Sequence, residues 1–559
     1  MSHASDVDPV TLEVIWSRLR DIPEEMGTHL RRTAFSPVIK YGEDFSTGLF
    51  TWDGRLISQG VYTAGHLGSM PQSLQKILSD HFPPETWDPG DVVITNDPYI
   101  NSGHLPDFFT FEPVFVAEEL VGFCVTTGHQ TDIGGSAPGS YTMEVVDMYG
   151  EGLQLPPTKV WSAGQLREDI VDILLENSRI PQQLRGDLRA HRAASRVGVE
   201  QLSSLVDDYG VAAYRRYVES LIERTEIAMR EAIRTLPDET VQFTEQLDGF
   251  DDPLDVAVTL TVSDDHVVVG FDGTASQQEG VAINCPQNYT YAFVLIAIKA
   301  AVDPETPPAH GMTLPIEMQA PEGCIVNPTP PVPVGSRQVL SDFVLSAVNG
   351  SLAQIVPEKV PASGSQLHWQ VMEFSDPGPR QQSILQDGFY GGGGAAPTHD
   401  GEPAISGATN VKNVPVEALE NDFPLRVRRY EIVPDTAGAG QTRGGNSTVR
   451  EYEFLQETTV QCVNERFSSG PPGVAGGRRG EAGSATVLTD DGERRIGSKE
   501  QFRATDGTRL LVQTAAGGGH GEPAERSREA VVADFLNGLL TRDGAATDYD
   551  VDDLPERGR

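Results

Sequence analysis

Residues 94–109 read ITNDPYINSGHLPDFF, residues 126–140 read TTGHQTDIGGSAPGS, and residues 143–157 read MEVVDMYGEGLQLPP. His104 and Asp107 stand at i and i+3, and His129 and Asp132 repeat that spacing. A short apolar run precedes each pair, 92–95 before the first and 122–127 before the second, and apolar runs of this length bounded by turn residues read as strands. Side chains that leave the ends of neighbouring strands converge, and strand ends hold them more rigidly than long loops do. Neutral imidazole nitrogen and carboxylate oxygen are the donors that suit Zn, Mn or Fe. The pattern therefore points to a divalent-metal site. The plainer alternative is two pairs of hydrogen-bonded loop residues that hold no ion.

Upstream of this stretch, Asp8 followed by Pro9 is a helix start, with Asp as N-cap and Pro at the first helical position. Val10, Val14, Ile15, Leu19, Ile22, Met26 and Leu30 then recur at helical spacing, and Pro23 is expected to break or kink the helix. Residues 41–60, YGEDFSTGLFTWDGRLISQG, alternate in polarity around Asp53-Gly54 and read as a β-hairpin. Asp44 opens that hairpin. It is either a turn residue or a further ligand. His66, beside a glycine near a helix start, is expected to be structural.

Downstream, residues 166–177, 181–209 and 214–236 carry apolar residues at helical intervals. From Thr240 the period changes to two, with Val256, Val258, Leu260 and Val262 returning through an Asp264-Asp265 turn to 267–271. A buried helix is expected over 289–301, and edge strands and turns over the proline-rich 304–333. The C-terminal third is dense in glycine, with strands at 426–433, 448–454 and 510–514 that suggest a sandwich or barrel-like unit. A last helix is expected over 528–540. The fold class is α+β and multi-domain: an N-terminal α/β metal-binding part (1–238), a β-rich central unit (239–365), a glycine-rich β unit (366–545) and a disordered acidic tail (546–559).

The chain has 559 residues and a formal net charge of −39, with seven lysines. That charge repels nucleic acid and anionic lipid, so neither is an expected partner. An acidic, lysine-poor surface on a normally hydrophobic chain is the composition of a protein adapted to high salt, where screening removes self-repulsion. Cys124, Cys285, Cys324 and Cys462 are scattered without Cys-x-x-Cys spacing, which fits a reducing compartment. The N-terminus has no apolar signal core and no run reaches membrane-span length, so a cytoplasmic location is expected. None of the glycine-rich stretches has the Lys and Ser/Thr of a phosphate loop.

Together, DPVTLEVIWSRL, EDFSTGLF, GDVVITNDPY, GHLPD, GHQTDIGG, EGLQLPP, DTAGAGQTRGGNS and GGGHGEPAER resemble, in order and number, the hydantoinase B/oxoprolinase family. These are B-type subunits of ATP-dependent hydantoinases, 5-oxoprolinase and the related acetone and acetophenone carboxylases. The resemblance implies a divalent ion (Zn, Mn or Fe) held by Asp44, His104, Asp107 and His129, where Asp44 rests on the resemblance alone. It also implies a hetero-oligomer with an A-type ATPase subunit that binds ATP and Mg and phosphorylates a small cyclic amide before its ring is opened. Asp132 is the candidate catalytic proton acceptor or the partner that orients His129, and Asp97 is a further candidate near the site. The alternatives are a subunit of an ATP-dependent carboxylase and a non-catalytic scaffold subunit.

Overall fold

The computed structural model describes residues 7–141, 143–250, 252–375, 384–405, 407 and 409–557. The first helix runs Pro9–Thr33, and the Asp8 carboxylate caps it by accepting the Thr11 N–H at 2.9 Å. Pro23 lies inside this helix without ending it, so the break expected there does not occur. A proline has no N–H, so the carbonyl of Leu19 loses its helical donor. Ser58 Oγ donates to that carbonyl at 2.6 Å instead, and the helix continues.

The hairpin that follows consists of β1 (Phe45–Thr51) and β2 (Leu56–Gln59). It joins β3 (Val92–Thr95), β4 (Asp107–Val116), β5 (Glu119–His129), β6 (Thr158–Ser162) and β7 (Gln165–Leu166). The seven form one antiparallel sheet in the order β2-β1-β5-β4-β3-β6-β7. Both faces are covered, which is why the central strands read as nearly continuous apolar runs rather than alternating ones. On one face Leu49, Val114 and Cys124 pack with Leu12, Leu19 and Met26 of the first helix and with Leu202 and Leu205 of the helix Pro181–Tyr209. On the other, Phe50, Phe109, Phe111 and Phe123 pack with Met70, Leu74 and Ile77 of the helix Ser69–Asp80. Each such phenylalanine, fully buried, contributes about 1.5–3 kcal/mol.

The chain divides into two compact units that interleave in sequence, one of residues 1–240, 259–341 and 408–411, the other of 241–258, 342–407 and 412–559. The stretch 239–365, expected to be a central unit of its own, is thus shared between the two. Within the first unit, residues 259–263 pair with His266–Gly270, which in turn pairs in parallel with Ile316–Gln319 from the proline-rich segment. The helix Gln287–Val302 packs closely on residues 64–68, where an added Cβ at Gly65 would lie 2.7 Å from the Tyr289 hydroxyl.

The second unit holds a four-stranded sheet and a five-stranded sheet. They face each other through Asp387 of the strand Ile384–Tyr390 and Arg450 of Thr448–Phe454, paired at 2.7 Å and fully buried. Its glycine-rich segments bond to one another through the backbone, from Gly517 N–H to the Gly445 carbonyl at 2.8 Å and from Gly445 N–H to the Gly393 carbonyl at 2.8 Å. A Cβ on Gly517 would stand 1.8 Å from the Gly393 carbonyl oxygen, so close approach of backbones, not a positive φ, demands glycine there. The acidic tail expected to be disordered is folded over its described residues. Arg542–Tyr549 is helical, and Leu554 packs against Val531, Phe535 and Leu540. Its apolar residues give the tail a surface to bury, whatever its charge. Among the described residues no helix is long and apolar enough to cross a membrane.

Candidate metal centre

One edge of the seven-stranded sheet collects the candidate donors. Asp107 is the first residue of β4 and His129 the last of β5, and the antiparallel register sets them opposite each other. On the other side of β5, Phe45 pairs with Gly128, so Asp44 stands at the same edge, and its backbone carbonyl accepts the His129 N–H at 3.1 Å. His104 comes from the connection between β3 and β4. Strand ends thus bring Asp44, Asp107 and His129 to one edge, and the connection from β3 to β4 brings His104 to the same place.

His104, Asp107 and His129 are all buried, and their donor atoms lie within 4.8 Å of one another, a group that could hold a metal ion. Asp107 Oδ1 is 2.8 Å from His104 Nε2 and 3.2 Å from His129 Nδ1. Asp44 stands at the rim of this group, with Oδ2 4.0 Å from His129 Nδ1 and a side chain that is 16% exposed. Two further residues face the cluster that sequence reasoning missed. His66 Nε2 lies 3.5 Å from Asp107 Oδ2, and its Nδ1 is 2.9 Å from Ser46 Oγ. Arg337, the first residue of the helix Arg337–Ile355, donates from Nη2 to Asp107 Oδ2 at 2.8 Å and to His104 Nε2 at 3.1 Å, while its guanidinium stacks on Tyr289. Ser102 Oγ also donates to Asp107.

The protonation pattern follows from these contacts. His104 Nδ1 lies 3.1 Å from the Gly335 carbonyl, a group that can only accept, so Nδ1 carries the proton and Nε2 is the acceptor that Arg337 Nη2 reaches. Burial, and then the charge of Arg337, lower His104 to about 4, so the ring is neutral at pH 7. Burial pushes the Asp107 carboxyl up, but His104 and Arg337 outweigh it and hold the group well below the usual carboxylate range. Burial raises Asp44, against the pull of His129. An acceptor lone pair on His104 and an ionised Asp107 oxygen at 2.8 Å repel each other unless a cation lies between them. Arg337 supplies one positive group to these atoms. The donor set therefore fits a divalent ion in both charge and ligand type.

Asp132 lies elsewhere. Its Oδ1 accepts the N–H groups of Gly134 at 3.2 Å and Arg179 at 2.8 Å, and its Oδ2 accepts the Gly139 N–H at 3.0 Å and Arg179 Nη1 at 2.8 Å. The carboxylate thus organises the loop that follows β5. Asp97 accepts from the Tyr99 N–H at 2.9 Å and from Gln154 at 3.3 Å, and so holds the turn after β3.

The structure thus defines a large α+β chain with a buried His-Asp-His group at a sheet edge, one that could hold a metal ion. The chain belongs to the hydantoinase B/oxoprolinase family, whose model matches residues 8–523. It is 31% identical over 568 residues to the caprolactamase subunit beta of Pseudomonas jessenii, covering 98% of this chain and 96% of that one. The crystal structure of the ATP-dependent caprolactamase from Pseudomonas jessenii superposes with a TM-score of 0.90 at 29% identity, over 99% of this chain and 98% of that one. A nucleotide-free acetone carboxylase structure superposes with a TM-score of 0.89 over 97% of this chain and 79% of that one; at 18% identity this likeness is one of fold.

Proposed function

We propose that this chain is the metal-binding subunit of an ATP-dependent cyclic amide hydrolase, which opens a lactam or imide ring after an A-type ATPase subunit has phosphorylated the ring's carbonyl oxygen. The observation that carries the reading is the buried His104-Asp107-His129 group, whose donor atoms lie within 4.8 Å of one another, in a chain whose relatives include an ATP-dependent caprolactamase. His104, Asp107 and His129 would hold the ion, with Asp44 from the rim as fourth ligand. When bound, the ion would supply Lewis-acid polarisation of the ring carbon's substituents and of the attacking water.

The chain's own residues do the rest. Gly335 keeps the proton of His104 on Nδ1, which leaves Nε2 as the nitrogen that would bind an ion. Arg337 balances the charge of Asp107, and with Tyr289 beneath it the guanidinium is fixed in place. His66, bonded to Ser46 and facing Asp107, is a further imidazole that could take up a proton at this edge of the site. Asp132 has its oxygens taken by four donors, so we assign it to positioning the loop 132–139 rather than to proton transfer.

Reconstitution tests this. The chain mixed with an A-type subunit, Mg and ATP should open caprolactam, 5-oxoproline or a hydantoin, and a chelator should abolish the turnover. The chain alone should show no tight ATP binding by calorimetry. Consumption of bicarbonate and a ketone, with no ring opened, would replace the hydrolase reading by the carboxylase one. A metal-free chain fully competent in the mixture would reduce it to a scaffold.

A further inference from the structure

The motif EGLQLPP leaves one buried carboxyl, Glu151, that the reaction above does not use. Glu151 is 1% exposed. Its Oε1 accepts two backbone N–H groups, from Val334 at 2.8 Å and from Gly335 at 2.6 Å. The next peptide along is the one that carries the His104 bond: its carbonyl, on Gly335, faces His104 Nδ1 at 3.1 Å, and its N–H, on Ser336, donates to the Ala282 carbonyl at 2.8 Å. Two residues on, Arg337 reaches Ser102, His104 and Asp107. The turn 334–337 therefore presents both a carbonyl and a guanidinium to the donor cluster, and Glu151 is the side chain that grips the start of that turn.

From this geometry we propose that Glu151 is a positioning residue: by holding the Gly335 backbone it keeps the Gly335 carbonyl on His104 Nδ1, and so fixes the His104 tautomer and ring orientation that metal binding requires. The inference rests on the metal reading proposed above. A ligating histidine is ordinarily oriented by an acceptor on its other nitrogen, and loss of such a partner costs about 10–100-fold in metal affinity. Here the orienting acceptor is a backbone carbonyl, which no substitution can delete, so the side chain that anchors that backbone takes over the role. Burial pushes the Glu151 carboxyl up to about 8, against the two N–H donors, so at neutral pH it is held as the acid. A glutamine keeps the accepting oxygen and matches that neutral form.

The test uses the full chain, stripped with a chelator, in three forms: wild type, Glu151→Ala and Glu151→Gln. Zinc affinity is read by competition with a chromophoric chelator, coordination by the visible absorption of the Co(II) form, and the His104 tautomer by long-range ¹H–¹⁵N correlation in the zinc-free chain, assigned by comparison with His104→Gln. Glu151→Ala should lose about 10–100-fold in zinc affinity, shift the Co(II) bands and move the His104 proton off Nδ1, while Glu151→Gln keeps all three. Should Glu151→Ala not fold, Glu151→Asp, one methylene too short to reach Gly335, carries the same expectation. Wild-type affinity and tautomer in Ala or Asp would overturn the proposal, as would a Gln variant that behaves like Ala. If the wild type takes up no zinc, the metal reading falls by itself, and the tautomer in the zinc-free chain still decides the role of Glu151.

Discussion

Asp107→Asn removes one charge from the point where most of the site's contacts meet. Asp107 touches His104, His129, His66, Ser102 and Arg337, and its pair with Arg337 is buried, with side chains 1% and 6% exposed. Breaking a buried pair by neutralising one partner costs about 3–5 kcal/mol, because the other charge stays in a low-dielectric interior without compensation. The stripped variant should therefore melt lower than the stripped wild type, by about 4–7 °C if the unit that holds the site unfolds as one. Metal acts separately. At a hundred times its dissociation constant, an ion that binds only the folded state adds about 2.7 kcal/mol to the wild type, and it should add nothing to Asp107→Asn. Differential scanning calorimetry with chelator and with zinc measures both effects. The double variant Asp107→Asn/Arg337→Met, which removes both charges, should recover most of the first loss and none of the second. A stripped Asp107→Asn within about 1 kcal/mol of wild type, or one that zinc still stabilises as much as wild type, would refute the placing of Asp107 between Arg337 and the ion.

Asp132→Asn should retain metal and lose stability through the 132–139 loop, since its Oδ2 anchors the Arg179 guanidinium; metal analysis beside a melting curve checks it, and loss of metal would return Asp132 to the site. Burial lowers His191 to about 4 from its ordinary 6.5. As pH falls the unfolded chain takes up that proton first, so stability present above about 6.5 drains away between there and 4, by about 3 kcal/mol. His191→Gln should flatten the melting temperature over that window by one proton's worth of slope. With a net charge of −39, melting temperature should climb between dilute buffer and molar KCl, where the screening length falls to about 3 Å; a flat response would remove the high-salt reading.

How much of the site was legible in the chain depends on where each residue's partner lies. His104 and Asp107 stand close in sequence at a strand start, and the apolar runs on either side reveal the strands that carry Asp107 and His129. The same i, i+3 spacing misled at Asp132. His129 ends β5, and three residues further on the chain has turned away into the 132–140 loop, where Asp132 accepts from Gly134, Gly139 and Arg179, not the proton-acceptor or His129-orienting position expected of it. Arg337 and Gly335 come from more than two hundred positions downstream of His104, and a contact across that separation has no spacing to betray it. A lone arginine at the first position of an otherwise uncharged helical turn was the only local sign. His66 sits beside a glycine and a short helical turn, a setting equally common for structural histidines. The Pro23 break was a sound inference from the helix alone; Ser58, on a neighbouring strand, supplies the donor that defeats it.

The central claim is that one divalent ion sits between His104, Asp107 and His129. Anomalous diffraction from crystals of the zinc-, manganese- or iron-loaded chain, collected on either side of the metal's absorption edge, reads that directly. The account predicts a single strong peak at roughly 2.0–2.2 Å from His104 Nε2, an Asp107 oxygen and a His129 nitrogen, with Asp44 turned inward and Arg337 withdrawn from Nε2. A loaded chain with no peak there, or with its peak at any other cluster, would contradict it.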